Sequence, residues 1–317
     1  MHRRSAARFV LLAMILNLAT LSGAGCVLME TAPGVLPARV VVVASIYPLA
    51  SIVQSIGKDN VEVVTLVPAG ASPHTFEVTP QQVKNFARAD LFVKVGAGLD
   101  LFAEKLVSAQ SSRIRVVTVT DGLEMLRYEY EELEEDAEAH EHGELDPHVW
   151  LDPLIVKEHI APKVAAALAE IRPELTGQIS ENLREFQADI DRLHAQLEEM
   201  FRPHNGRCFI SLHAAWGYLA SRYNLRTIVV QEFPAREPSA GWIARLVDLA
   251  KREGVSAVVV EPQFSPKAAQ IIAGEVGAQV VTLDPLGGPD LQGYQTYSAM
   301  MMSNAISLVR ALKKVAP

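Results

Sequence analysis

His74, His148, His213 and Asp284 are the residues of this 317-residue chain whose types and settings could do chemistry together. His74 closes the loop Pro68-Ala69-Gly70-Ala71-Ser72-Pro73-His74, which leaves an apolar run ending at Val67. His148 lies in Asp146-Pro147-His148-Val149-Trp150-Leu151-Asp152-Pro153, a proline-bracketed segment just before a helical pattern. His213 directly follows the run Cys208–Leu212, and Asp284 directly follows Gln279–Leu283 and precedes Pro285. In parallel α/β sheets the loops at the strand exits bind ligands. Three imidazoles and a carboxylate converging there would suit Zn²⁺, which takes tetrahedral nitrogen and oxygen ligands without electronic preference. Each imidazole must be neutral to coordinate, and its other ring nitrogen needs an acceptor, a role open to Glu77 and Glu261. Spacing alone does not separate this set from ordinary loop histidines, which are the commoner case.

The elements that must position these residues are short Val- and Ile-rich runs with helical patterns between them. The runs are Arg39–Ser45, Val61–Val67, Asp90–Val95 and Ile114–Thr120 in the first half, and Arg207–Leu212, Arg226–Gln231, Ser256–Glu261 and Gln279–Leu283 in the second. Near-continuous apolar strands alternating with helices indicate parallel sheets covered on both faces. Four strands in each half make an α/β protein of two lobes, each a four-stranded parallel sheet flanked by helices, with the candidate metal site in the cleft between them.

Between the halves, Leu175, Ile179, Leu183, Phe186, Ile190, Leu193, Leu197 and Met200 recur at steps of three and four, a single helical face. Pro173 suits a first turn and Pro203 stops the pattern. A helix over 173–202 would span roughly 40 Å and serve as one long rigid connector. A dimerising coiled coil is the alternative. The expected organisation is a signal peptide at 1–25, an N-terminal lobe at 26–172, the linking helix at 173–202 and a C-terminal lobe at 203–317.

Arg3, Arg4 and Arg8, the apolar stretch Phe9–Leu21 and the small residues Ser22-Gly23-Ala24-Gly25 form a secretory signal, so the protein is expected to be exported. Cys26 stands where bacterial lipoproteins carry their lipid. The usual leucine three residues earlier is here Gly23, which leaves cleavage after Ala24 open. Removing 1–25 leaves 26 basic against 37 acidic residues. Ten of those acids, with only Arg127 against them, fall between Glu124 and Glu144. This acidic flexible loop, 124–145, contains His140 and His142 and reads either as a solvated segment or as an auxiliary metal collector. His159, His194 and His204 lie on or beside helices, where surface positions are expected.

Several function classes are excluded or disfavoured. A net charge of −8 does not suit a non-specific nucleic-acid binder. Two cysteines make neither a disulfide framework nor a thiolate zinc cage, and Cys208 is expected to pack as a small apolar residue. The chain has no phosphate-binding loop with Lys and Ser/Thr, no His-Glu-x-x-His helix and no Gly-x-Ser-x-Gly turn. A nucleophile triad of Ser211, His213 and Asp284 is therefore a poor reading. Four protein ligands would also fill a zinc tetrahedron, leaving no position for the water of a metallohydrolase.

Further motifs follow one order along the chain: Ala44-Ser45-Ile46-Tyr47-Pro48-Leu49, Leu66-Val67-Pro68-Ala69-Gly70, Pro73-His74-Thr75-Phe76-Glu77 and Ala89-Asp90-Leu91-Phe92 with Gly96-Ala97-Gly98-Leu99. The Asp146–Pro153 segment, His213 with Tyr218, Glu261-Pro262-Gln263-Phe264-Ser265-Pro266-Lys267 and Leu283-Asp284-Pro285-Leu286-Gly287 continue it. Together they resemble the zinc/manganese solute-binding lipoproteins of bacterial ABC transporters, over nearly all of the chain from Arg39. The resemblance implies two α/β lobes joined by a rigid helix and one metal between them, held by His74, His148, His213 and Asp284. Manganese-selective relatives typically have Glu at the third position, so His213 makes this site resemble the zinc type, with Mn²⁺ as the alternative cargo. The resemblance also implies a monomeric, non-enzymatic carrier that hands Zn²⁺ to a membrane permease and, through it, an ATPase. It would work in the periplasm or at the cell surface, anchored by lipid at Cys26. A secreted metallohydrolase and a metal-stabilised adhesin are the competing readings.

Overall fold

Val40-Val41-Val42-Val43-Ala44 is β-branched almost throughout, and it forms the first strand, β1 (Val40–Ala44), buried at four of its five positions. The computed structural model describes residues 39–110, 113–128, 145–230 and 240–313. The expected signal peptide, Cys26, His140, His142 and most of the acidic segment lie outside the described residues.

After β1 come α1 (Tyr47–Gly57), β2 (Val61–Thr65), α2 (Pro80–Phe86), β3 (Leu91–Lys94), α3 (Glu104–Gln110) and β4 (Arg115–Thr118). Next, α4 (Pro153–Ile155) runs through a π-helical turn, Val156–Ile160, into α5 (Ala161–Ile171), and the long helix α6 (Thr176–Phe201) follows. The second half comprises β5 (Cys208–Ser211), α7 (Gly217–Arg222), β6 (Arg226–Val229), α8 (Ala240–Arg252), β7 (Ala257–Val260), α9 (Lys267–Val276), β8 (Gln279–Thr282) and α10 (Tyr297–Leu312). All eight expected strands form, each slightly shorter than its apolar run.

Both sheets are wholly parallel and share one order, β2-β1-β3-β4 and β6-β5-β7-β8. The chain thus reverses direction of growth between β1 and β3, and again between β5 and β7. Crevices at such points are where open α/β sheets take ligands.

Alternation along the strands divides the core into three layers. Val40, Val42 and Ala44 of β1, Leu91 and Val93 of β3, Phe209 of β5 and Ala257 and Val259 of β7 all face one continuous core. Helices α1, α5, α6, α7 and α10 also contribute to it. The opposite faces pack outward, Val43 and Phe92 against Phe86 of α2 and Leu106 of α3, and Ile210 and Val258 against Leu246 of α8 and Ile272 of α9. The lobes therefore meet through shared packing as well as through the connecting helix. Coverage on both faces holds best for the central strands. At the margin, β8 is mostly exposed, because an edge strand has a neighbour on one side only.

Helix α6 has 26 residues, roughly 39 Å of helix. Its buried face is Ile179, Asn182, Phe186, Ile190, Leu193, Leu197 and Phe201, with Leu175, Leu183 and Met200 packed at the margin. Single 3₁₀ turns, Pro173–Leu175 and Arg202–His204, close its two ends, each containing the proline that marks the boundary in the sequence. Asn182 is the polar member of the face, and its Nδ2 donates to the Ile56 carbonyl at the end of α1 at 2.8 Å.

Candidate metal centre

Three of the four proposed ligands come together. His74 sits in a 3₁₀ turn, Pro73–Thr75, on the loop after β2, where Pro73 fixes the first position. His148 precedes the 3₁₀ turn Val149–Leu151, and His213 leaves the end of β5. The ring centroids lie 5.7 Å (His74–His148), 5.0 Å (His74–His213) and 4.9 Å (His148–His213) apart. One nitrogen of each ring lies within 4.8 Å of the others. They border a cavity of about 10 Å³, whose walls also include Trp150, Glu261, Gln263 and Phe264. That space fits a single ion or water molecule.

Two imidazoles are oriented by buried carboxylates. Nδ1 of His148 lies 2.8 Å from Oδ1 of Asp146, which also accepts the backbone N–H of His148 at 2.9 Å. Nδ1 of His213 lies 3.0 and 3.1 Å from the two carboxylate oxygens of Glu261, at the exit of β7. With Nδ1 protonated and donating, Nε2 of each ring keeps its lone pair for the cavity. Glu261 thus fills the acceptor role expected from the sequence. Glu77 is exposed, and Asp146 takes the place at His148. The signal for Asp146 was present in Asp146-Pro147-His148, since Asp side chains bond their own backbone two residues on.

His74 is the imidazole that solvent still reaches. Its pKa is lowered to about 3, first by desolvation among the surrounding groups and then by the nearby His148 and His213 rings. It is therefore a neutral ligand well below neutral pH.

Asp284 is not one of the groups whose ligand atoms lie within 4.8 Å of one another, and the cavity wall includes its neighbours Pro285 and Leu286. Asp284 itself is buried, at 5% exposure, and firmly held. Its backbone N–H and C=O pair with the side-chain amide of Asn304 on α10 at 2.8 and 2.7 Å. Its Oδ1 accepts the N–H groups of Leu286 and Gly287 at 2.9 and 3.1 Å.

The remaining candidates behave differently. Ser211 Oγ donates to the His213 carbonyl at 2.6 Å, an internal bond that gives no support to a nucleophile. His204 is buried, at 8% exposure, against the expectation of a surface position, because the turn closing α6 folds back onto the core. Burial, with Arg207 and Lys313 near, lowers its pKa. His159 and His194 are half-buried, the latter with Nδ1 3.1 Å from the Tyr223 hydroxyl. Cys208 is buried in β5, as expected of a small apolar residue.

The family model described as "Zinc-uptake complex component A periplasmic" (ZnuA) matches residues 42–311. A curated relative, the high-affinity zinc uptake system protein ZnuA of Bacillus subtilis (strain 168), is 28% identical over 251 residues, covering 78% of each chain. Among solved structures, a zinc-bound ZnuA deletion mutant aligns with a TM-score of 0.77 at 31% identity, over 88% of this chain and all of that one. The laminin-binding protein of Streptococcus agalactiae, titled a bifunctional protein with adhesin and metal transporting activity, aligns at 0.74 and 27% identity, over 86% of this chain and 100% of that one.

Proposed function

Because the chain belongs to the ZnuA family of periplasmic zinc-uptake components, we propose that it captures Zn²⁺ outside the cytoplasmic membrane through His74, His148 and His213. The family is one of solute-binding proteins, not enzymes, and its members work with an ABC permease and ATPase. Here the ion is cargo. The observation that carries the reading is the convergence of three imidazoles, two of them with Nδ1 on a buried carboxylate. Three nitrogen donors favour zinc over the harder, oxygen-preferring Mn²⁺.

A tetrahedral zinc with bonds near 2.1 Å needs its ligand atoms about 3.4 Å apart. Starting from nitrogens within 4.8 Å of one another, loading calls for side-chain adjustments of about an ångström. Asp284 is the fourth ligand in this reading. Backbone amides hold its Oδ1, leaving the other oxygen to approach the ion as the loop through Pro285 and Leu286 adjusts. A shared core and a stiff α6 favour release by small loop and lobe shifts over a wide hinge motion. The lobe division at 172/173 and 202/203, cleavage and lipid attachment at Cys26, and action as a monomer belong to the same proposal. An auxiliary role for His140 and His142 is a separate matter of the acidic segment.

The test is zinc-limited growth of cells whose only copy of this protein carries His74→Ala, His148→Ala or His213→Ala. Growth should fail without added zinc and recover with it. Normal growth of two of the three variants under zinc limitation contradicts the reading.

A further inference from the structure

Helix α7 follows His213 by four residues and is six residues long, yet both its ends press against the segment of the other half that carries His148. At its start, Gly217 lies so close to Asp146 that a Cβ built there would stand 2.9 Å from Oδ2. Real Cβ atoms do not sit that near an oxygen, so any side chain at 217 would displace the carboxylate. Nothing about the backbone dihedrals requires glycine there, since Gly217 is not among the residues with positive φ. The close approach is the reason for it. At its end, Nε of Arg222 lies 2.9 Å from each carboxylate oxygen of Asp152, and its Nη2 lies 2.6 Å from Oδ2. Next to Gly217, the Tyr218 hydroxyl accepts the N–H of Leu126 at 2.9 Å.

Asp146 and Asp152 bracket His148, and Asp146 sets its ring through Nδ1. Movement of α7 along or away from this segment would change the distance between His148 and His213 directly. We propose that α7 is the positioning element of the site, with Gly217 a positioning residue that lets the helix seat against Asp146 and Arg222 the clamp that holds its far end. The inference rests on the zinc-capture reading above. It adds that the affinity of the site depends on two residues, Gly217 and Arg222, that are neither ligands nor hydrogen-bonded to one, acting through the carboxylates that flank His148. The Coulombic gain of the Arg222–Asp152 pair matters less here than its bidentate geometry, which fixes the helix in register.

The experiment uses the mature chain, with zinc affinity read by competition against a chromophoric chelator and site geometry read from the visible spectrum of the Co²⁺-loaded protein. Gly217→Ala should weaken zinc binding about 10-fold or more, on the scale seen when a ligand's orienting partner is lost, and shift the cobalt bands. Asp146→Ala should cost a similar factor, and Gly217→Ala added to it should cost nothing further, because the pushed carboxylate is gone. Arg222→Gln should weaken binding in the same direction. Because it leaves the buried Asp152 carboxylate without its guanidinium, circular dichroism and thermal unfolding of the variant must first show that it is folded. Unchanged affinity in Gly217→Ala or in Arg222→Gln overturns the proposal, as does a Gly217 penalty that persists in full without Asp146. His148→Ala separates the two levels. If that variant still binds zinc tightly, the capture reading itself fails. If it does not bind while Gly217→Ala is silent, only the positioning role of α7 fails.

Discussion

Trp150 Nε1 donates to the carbonyl of Pro285 at 2.7 Å, a buried bond between residues 135 positions apart. One partner lies two residues after His148 and the other directly after Asp284. The Tyr297 hydroxyl then donates to the carbonyl of Trp150 at 2.8 Å, tying α10 into the same junction. The two loops that carry the proposed ligands of opposite halves are thereby held against each other by protein contacts alone.

Trp150→Phe keeps the ring volume in part and removes the donor, leaving the Pro285 carbonyl buried without it. The expected loss is about 1–3 kcal/mol of stability, measured by urea unfolding of the metal-free protein. Zinc affinity should fall as well, since the Asp284 loop loses its fixed distance from His148. A variant as stable and as tight as the parent would show that this bond contributes nothing to holding the junction.

Glu261→Gln tests the orientation of His213. The amide keeps the size of the carboxylate but is a weaker acceptor, and one of its two positions is now a donor facing Nδ1. Zinc affinity should fall about 10- to 100-fold with little change in fold. Circular dichroism and chelator competition on the same sample check both halves of that statement.

His74 makes one contribution to the pH dependence of the metal-free protein, in the same direction as His159 and His204, whose pKa values burial also lowers. For His74 the unfolded value is 6.5 and the folded value about 3, so between these limits the unfolded chain binds more protons than the folded one. Stability of the metal-free protein therefore rises with pH through that window and is lost as pH falls from 6.5 towards 3. His74→Gln should flatten this part of the profile in thermal unfolding at a series of pH values. An unchanged slope would place the acid sensitivity in other groups.

The connecting helix makes its own prediction. Phe186 is buried at the middle of α6 and belongs to the core shared by both halves. Phe186→Ala should cost about 3–5 kcal/mol and should lower the stability of the whole chain in one transition. Two separate unfolding steps would mean that the halves are energetically independent.

Much of this architecture was legible in the sequence because the determinants are local. The run Val40–Ala44 and its counterparts announce strands by β-branching, and the spacing from Ile179 to Leu197 announces a helix by its period. His74, His148 and His213 were legible because each follows an apolar run or a proline-marked turn. What the sequence did not carry is tertiary. Burial of His204 depends on where the turn after α6 lands, and the approach of Gly217 to Asp146 joins positions 71 residues apart in the chain. Helix α7 has fewer than two turns, too few for a period to register. Asp284 was read as a fourth ligand beside the histidines; its grip by Asn304 and by the backbone of its own loop is tertiary and was not legible.

The central claim is that three imidazoles share one zinc ion, and competitive titration of the purified chain with Zn²⁺ and Mn²⁺, backed by elemental analysis, tests it most directly. One zinc per chain should bind, in preference to manganese, with affinity lowered more than about 100-fold in each of His74→Ala, His148→Ala and His213→Ala, and lowered in Asp284→Ala. Retention of parental zinc affinity by two or more of the histidine variants would contradict it.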